Sequence, residues 1–493
     1  MTTDADRPLS ISPTTLARVL AGWSDSSGAL YRSLADAVVA AIERGDLPTG
    51  ARLPAERAAA PQLGVSRGTM VAAYDALRDA GVVDRRRGSG TWIVGPHASA
   101  FRVAELAAGL RARQLTRHTV TEAPAVIDLA LSVLPAPDGL PPEAFELDPT
   151  RLVRLAHGHG YHPPGLPALR ERLAELHTER GVPTDPDQIL VTTGAQQALS
   201  LVAQHLVAPG DVVAVEAPTY PGAIDVWSRV GARFAALAGD SAGVVPAHVR
   251  RIVDEQVPEV VYVVPTGQNP RGTVVPPARR RELAAIADRA ACWLVEDEAL
   301  AWTVHDGAGP PLPIAAFATG GRVLTLGSLS KLFWGGLRLG WVRGDAATIS
   351  QLGRLKAALD LGSDSLTQAV ALSLLDRVDE IAAVRRRALA SSARLVTGLL
   401  ADRLPDWQVR PPEAGLSLWV RLPGGDADDL ATVALRHGVR VLPGTAASPV
   451  ESAAPHLRLA ISLPPAQLRE AVDRLAAAWH SADRSPTSVP SAR

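Results

Sequence analysis

With 493 residues, 47% hydrophobic and 20% charged, the chain is long enough for two or more domains and has the composition of a globular protein. A formal net charge of −1 excludes a polycation, so any nucleic-acid binding must rest on a local patch. A single cysteine, Cys292, excludes an intramolecular disulfide and a cysteine-rich metal centre, and no metal site is expected. No run of 18 apolar residues suggests a membrane span and the N-terminus has no signal-peptide pattern, so the cytoplasm is the expected compartment.

Residues 1–26 read as an arm or a short leading helix. From Leu30 to Arg44 apolar positions recur at i, i+4, i+7 and i+8, one face of a helix. A second, shorter helix is expected to open at Arg52, with Pro54 in its first turn. Ser66 is a good N-cap for a helix from Arg67 to Ala80, and Gly81 suits its C-terminal stop. Residues 82–94 read as two short strands around a basic, glycine-rich tip. Three helices followed by a hairpin make a winged helix-turn-helix, whose third helix would enter the major groove with Arg67, Gly68 and Thr69 leading. Arg85, Arg86, Arg87 and Gly88 would form the wing. Residues 27–94 hold nine arginines and no lysine against seven acidic residues, a net charge of +2 with three arginines together at the wing.

The strings Leu-Pro-Ala-Glu-Arg57, Gly-Val-Ser66-Arg67-Gly-Thr69 and Arg-Arg87-Gly88-Ser-Gly-Thr fall in that order and resemble the DNA-binding domain of the GntR-type regulators. The resemblance implies DNA contacts by Arg57, Ser66, Arg67, Thr69, Arg87 and Gly88. Ala59 and Pro61 depart from it, standing where the family's second helix carries a larger apolar residue and no proline. That helix is therefore expected to be short or bent. Residues 95–125, rich in Pro, Ala, Arg and Thr, read as a linker with one helical segment around 103–115.

From Ile127 continuous apolar runs alternate with amphipathic helices. Strands are expected at 189–192, 212–215, 260–264, 293–296 and 323–326, with helices at 195–207, 277–291 and 346–361 between them. Continuous rather than alternating strands mean a sheet covered on both faces, an α/β fold with a mostly parallel sheet. Ligands collect at the strand C-termini of such sheets. There, Thr193-Gly194-Ala195-Gln196 opens a helix and suits a phosphate, and Tyr220 can stack on a flat heterocycle or pack in the core. Asn269 lies in a turn-rich loop and can donate a hydrogen bond. Asp297 ends an apolar run and wants a cation.

Of the 50 basic residues only Lys331 and Lys356 are lysines, leaving 48 arginines. Lysine can lose its proton and attack a carbonyl, which arginine cannot. Ser328, Ser330 and Arg338 around Lys331 are what a phosphate monoester asks for, which together with the amine suggests pyridoxal phosphate (PLP). An ordinary surface lysine is the competing reading.

In order, these junctions resemble the fold type I aminotransferases over about residues 127–480. The resemblance implies that Lys331 forms the Schiff base, Asp297 meets the pyridine nitrogen, Asn269 meets the 3′ oxygen and Tyr220 stacks on the ring. Gly194, Ala195, Gln196, Ser328, Ser330 and Arg338 would hold the phosphate. Tyr161 would reach the partner subunit's cofactor, implying a homodimer, and Arg458 would grip a substrate carboxylate. A winged helix fused to such a domain resembles the MocR-type transcriptional regulators. That implies a winged helix at 27–94 and a PLP domain at 126–480 on either side of the linker at 95–125, while residues 481–493, rich in Ser, Pro and Arg, are expected to be a disordered tail. It also implies operator DNA as partner and PLP or a small amino compound as effector. Ala299, Gly335 and Val133 depart from the family pattern around the lysine, which favours sensing over turnover. Two alternatives stand: an active aminotransferase with an appended DNA-binding module, and a regulator whose second domain is a cofactor-free dimerisation scaffold.

Overall fold

The computed structural model describes residues 11–20, 23, 30–43, 46–47, 51–79, 82–86, 90–93, 126–137, 140, 142–147, 149–306, 309–449 and 455–482. Gly81, the wing tip with Arg87 and Gly88, the linker with its helical segment, and residues 483–493 lie outside them. The chain divides into two units, residues 1–113 and 114–493.

The first unit holds α1 (Pro13–Val19), α2 (Leu30–Glu43), β1 (Arg52–Leu53), α3 (Glu56–Gln62), α4 (Arg67–Asp79), β2 (Val83–Arg86) and β3 (Gly90–Ile93). Its antiparallel sheet has the order β1-β3-β2. Leu16, Leu34, Val38, Leu53, Met70, Leu77 and Ile93 fill the core between helices and sheet. The expected helix start at Arg52 is wrong. Arg52 and Leu53 pair with Trp92 and Thr91 as a third strand, and α3 begins only at Glu56, behind the N-cap Ala55. The reason is Pro54, which biases Leu53 towards extended backbone while Leu53 buries its side chain in the core. Pro61 does lie inside α3, which is only seven residues long. Without an N–H, Pro61 cannot bond the carbonyl four residues back, and the helix stops almost at once.

In the second unit a seven-stranded sheet runs β5-β13-β12-β11-β10-β6-β7. The small β4 (Ile127–Asp128) precedes it, and the hairpin β8 (Gly239–Asp240) and β9 (Gly243–Val244) follows β7. The main strands are β5 (Ile189–Thr192), β6 (Val212–Glu216), β7 (Arg233–Leu237), β10 (Val260–Val263), β11 (Trp293–Asp297), β12 (Val323–Ser328) and β13 (Gly340–Arg343). All are parallel to their neighbours except β13, which is antiparallel to both β12 and β5. The five strands read from apolar runs are all present, as are helices Ala195–Leu206, Pro277–Arg289 and Ala346–Asp360. Two separate apolar cores flank the sheet, one around Trp227, Tyr262 and Leu324, the other around Val261, Leu283 and Leu294 with Cys292 buried among them.

A smaller sheet, β14 (Gln408–Val409), β15 (Ser417–Arg421), β18 (His456–Ala460) and β17 (Leu442–Pro443), packs against helices Val378–Arg403, Ala427–Arg436 and Pro465–Ala482. The last helix carries two residues of the expected tail. β16 (Val439–Arg440) pairs in parallel with β4, and Arg440 binds Asp128 at 2.7 Å.

Candidate functional site

At the C-terminal end of β5, Gly194 adopts φ 107° and caps the helix Ala195–Leu206. A Cβ on Gly340 of β13 would fall 2.6 Å from the Gly194 carbonyl carbon and 2.8 Å from the Ala195 nitrogen, so only glycine lets the turn settle on the sheet. The first-turn N–H groups of Ala195 and Gln196 have no carbonyl a turn behind them, and the helix's positive end points the same way. Arg338 closes the turn, its Nη2 donating to the Thr193 carbonyl at 2.7 Å. Ser330 Oγ is buried without a hydrogen-bond partner among the described residues, and Ser328 Oγ accepts from Ser330 N–H at 3.2 Å. An orphaned hydroxyl, helix-end donors and a guanidinium fit a phosphate monoester.

Beside this cradle Tyr220 donates through its hydroxyl to Gln196 Oε1 at 3.0 Å, and Gln196 Nε2 donates to the Gly222 carbonyl at 3.1 Å. The ring of Tyr220 lies over Gly222, where a Cβ would fall 2.5 Å from it. After β10, Asn269 Oδ1 accepts from Arg458 Nη1 at 3.2 Å, which leaves the amide nitrogen as the donor end. Arg458, buried on β18, also donates to the Ala130 carbonyl.

Asp297 ends β11, buried, accepting from the Tyr262 hydroxyl at 2.8 Å and Ala299 N–H at 2.9 Å. Burial raises its pKa above the ordinary 3.8, and nearby Glu298 adds to the rise. The two hydrogen bonds and the charge of Lys331 oppose it without winning. A buried carboxylate held up in this way fits a cation placed against it, such as a protonated pyridine nitrogen. Lys331 follows β12 and donates to the Ser132 carbonyl at 2.6 Å. The strand ends of β5, β6, β10, β11 and β12 thus carry the turn, Tyr220, Asn269, Asp297 and Lys331. Tyr161 stands apart, 61% exposed on a loop.

Sequence reasoning missed three supports. Tyr262 braces Asp297 and was hidden within the apolar run of β10, where a lone hydroxyl was the only signal. Glu298, next after Asp297, is buried between Arg180 at 2.7 Å and Arg280 at 3.4 Å. Arg385, buried on the helix Val378–Arg403, donates to the carbonyls of Leu332, Phe333 and Pro135 and so fixes the backbone just after Lys331.

In the first unit Ser66 Oγ accepts from Thr69 N–H at 3.0 Å and lies 2.8 Å from Thr69 Oγ1, capping α4. Arg57, Ser66 and Arg67 are exposed and Thr69 is half-buried. β2 pairs with β3 up to Arg86 opposite Gly90, at the base of the wing.

These arrangements define a class of protein, a DNA-reading winged helix joined to a fold type I aminotransferase-like domain of the PLP-dependent kind. The profile of class I and II aminotransferases matches residues 126–475, and the chain belongs to that family. The profile of bacterial regulatory proteins of the gntR family matches residues 30–93. An uncharacterized HTH-type transcriptional regulator of Bacillus subtilis, YdfD, is 28% identical over 83% of this chain and 88% of its own. The probable rhizopine catabolism regulatory protein MocR of Rhizobium meliloti is 29% identical over 80% of this chain and 82% of its own. Among solved structures, the α-aminoadipate aminotransferase LysN of Thermus thermophilus, complexed with N-(5'-phosphopyridoxyl)-L-leucine, superposes with a TM-score of 0.66 at 27% identity. It covers 72% of this chain and 92% of its own. No helix among the described residues is long and apolar enough to cross a membrane.

Proposed function

We propose that this protein is a PLP-dependent, DNA-binding transcriptional regulator that senses the cofactor or a small amino compound at Lys331. In this reading residues 27–94 bind operator DNA, 95–125 link, and 126–480 hold the cofactor, with the work done in the cytoplasm. The observation that carries it is the meeting of Lys331, Asp297, Asn269, Tyr220 and the Gly194 turn at the strand ends of one sheet, in a chain whose first unit is a winged helix.

PLP supplies, when bound, an aldehyde that the Lys331 amine or an incoming amine can take up covalently. Gly194, Ala195, Gln196, Ser328, Ser330 and Arg338 hold its phosphate, and Asp297 keeps a proton on its ring nitrogen. Asn269 donates to the 3′ oxygen and Tyr220 packs on the ring. Arg458 takes the carboxylate of an incoming amino acid by a bidentate pair. A ligand that changes contacts at Lys331 and Arg458 has the differential interaction needed to move an equilibrium. The chain works as a homodimer, with Tyr161 reaching the partner's cofactor. Leu361 and Leu366, exposed like Tyr161, support this, because the turn between them lies against the Tyr161 loop and a partner subunit covering that loop would cover them too.

Purified protein should show the visible absorbance of a lysine-linked cofactor, and Lys331→Ala should abolish it. An unchanged spectrum sinks the assignment, and a wild type that never takes up PLP favours the cofactor-free scaffold. A second reading, a working aminotransferase, is supported by the joint presence of Lys331, Asp297 and Arg458. Rapid, substrate-selective conversion of amino and keto acids would establish it in place of the first.

A further inference from the structure

Lys356 is the second of only two lysines, and the function above does not use it. It lies fully buried on the helix Ala346–Asp360, and its ammonium donates to both Asp360 carboxylate oxygens, at 2.8 and 2.6 Å. Taking an ammonium out of water carries a desolvation cost that a surface position avoids, so its place calls for a reason. The reason lies beyond Asp360. Its Oδ2 accepts from Gln197 Nε2 at 2.7 Å, and Gln197 Oε1 accepts from Thr193 N–H at 2.9 Å. Thr193 gives its carbonyl to Arg338. An unbroken line of hydrogen bonds therefore runs from Lys356 through Asp360, Gln197 and Thr193 to Arg338.

The same hub supports a second segment. Asp360 Oδ1 accepts from Gly362 N–H at 3.0 Å, and a Cβ on Gly362 would sit 3.0 Å from the carbonyl atoms of His162, beside Tyr161. Burial alone would raise the Asp360 carboxyl, but hydrogen bonds from Lys356, Gln197 and Gly362 hold it below its ordinary value. A compact ammonium can touch both oxygens of a carboxylate one turn away, whereas a planar guanidinium is longer and demands a fork of acceptors.

We propose that Lys356 and Asp360 are positioning residues for the phosphate turn. They lock the Gln197 side chain, which engages Thr193 N–H and leaves the N–H groups of Ala195 and Gln196 to receive a phosphate dianion. This rests on reading the turn as a phosphate cradle. The test is spectral titration of the full-length apoprotein with PLP and with pyridoxal, which has the same aldehyde and ring but no phosphate.

In Lys356→Met, Asp360→Asn and Gln197→Leu the affinity for PLP should fall about tenfold or more, the scale seen for outer-shell partners elsewhere. Affinity for pyridoxal should stay within about twofold, since a lost phosphate contact leaves the aldehyde chemistry intact. Lys356→Met/Asp360→Asn should bind PLP no more weakly than Lys356→Met alone, because the two act through one amide. Equal losses for both aldehydes, as a merely structural role would give, overturn the proposal, and so does unchanged PLP affinity. Should Lys356→Met fail to fold, Asp360→Asn and Gln197→Leu, which keep the volume, carry the same comparison. Wild-type protein that binds neither aldehyde removes the cofactor reading itself, a different result from variants that match a PLP-binding wild type.

Discussion

Burial pushes the Glu216 carboxyl from its ordinary 4.5 up to about 8, although Val264 N–H donates to it at 2.7 Å. Between those values the unfolded chain gives up this proton while the folded chain keeps it. Stability attributable to the group is therefore full below about pH 4.5 and declines as pH rises towards 8, by roughly 1.4 kcal/mol per unit for a full proton's difference. Glu296, raised to about 7 by burial and by Glu298, acts in the same direction. Glu216→Gln keeps an acceptor for Val264 N–H and loses the titration. Urea unfolding at pH 5.5 and pH 8 should show a smaller decline in the variant than in the wild type, and parallel declines would refute the assignment of this slope to Glu216.

Elements, rather than residues, place the turn. β13 is the antiparallel insertion that brings Gly340 beneath Gly194, and a side chain there meets backbone that cannot rotate away. Gly340→Ala should lower stability by about 1–3 kcal/mol, the usual effect of overpacking, and weaken PLP binding together with it. Thermal unfolding and spectral titration of one preparation check both, and a variant that unfolds earlier yet binds PLP normally would show that the turn does not depend on β13.

The central strands were legible because each is a continuous apolar run bounded by turn residues, and the site was legible because its groups follow those runs directly. β13 was not, since Gly340-Trp-Val-Arg is short and adjoins the glycine-rich loop after Lys331. β1 is two residues long, below any periodic signal. The clasp of Arg180 on Glu298 joins residues 118 apart in sequence, and the Gln197 bond to Asp360 joins residues 163 apart. Spacing carries no trace of such pairs. Even Ser66, read correctly as a cap, showed nothing of how much of its surroundings stays exposed.

At the scale of the whole molecule, a net charge of −1 leaves DNA affinity to a local patch, which in the proposed reading is built from the nine arginines of residues 27–94. Arg67→Ala, at the exposed N-terminal end of α4, should weaken operator binding. If Arg67 meets a phosphate, the slope of log affinity against log salt should also shrink by about one. A loss confined to one base position with an unchanged slope would mean base reading instead, and unaltered affinity would count against the recognition-helix assignment.

The scarcity of lysine also makes the protein its own reporter. An endoproteinase that cuts only after lysine has two sites in the unfolded chain, and it releases residues 1–331, 332–356 and 357–493. Once a carbonyl compound is fixed on Lys331 by reduction, the first cut is blocked and the short middle peptide vanishes into a fragment ending at Lys356. Occupancy of one amine can thus be read by mass in a crude digest, with no chromophore and no knowledge of which ligand the cell supplies.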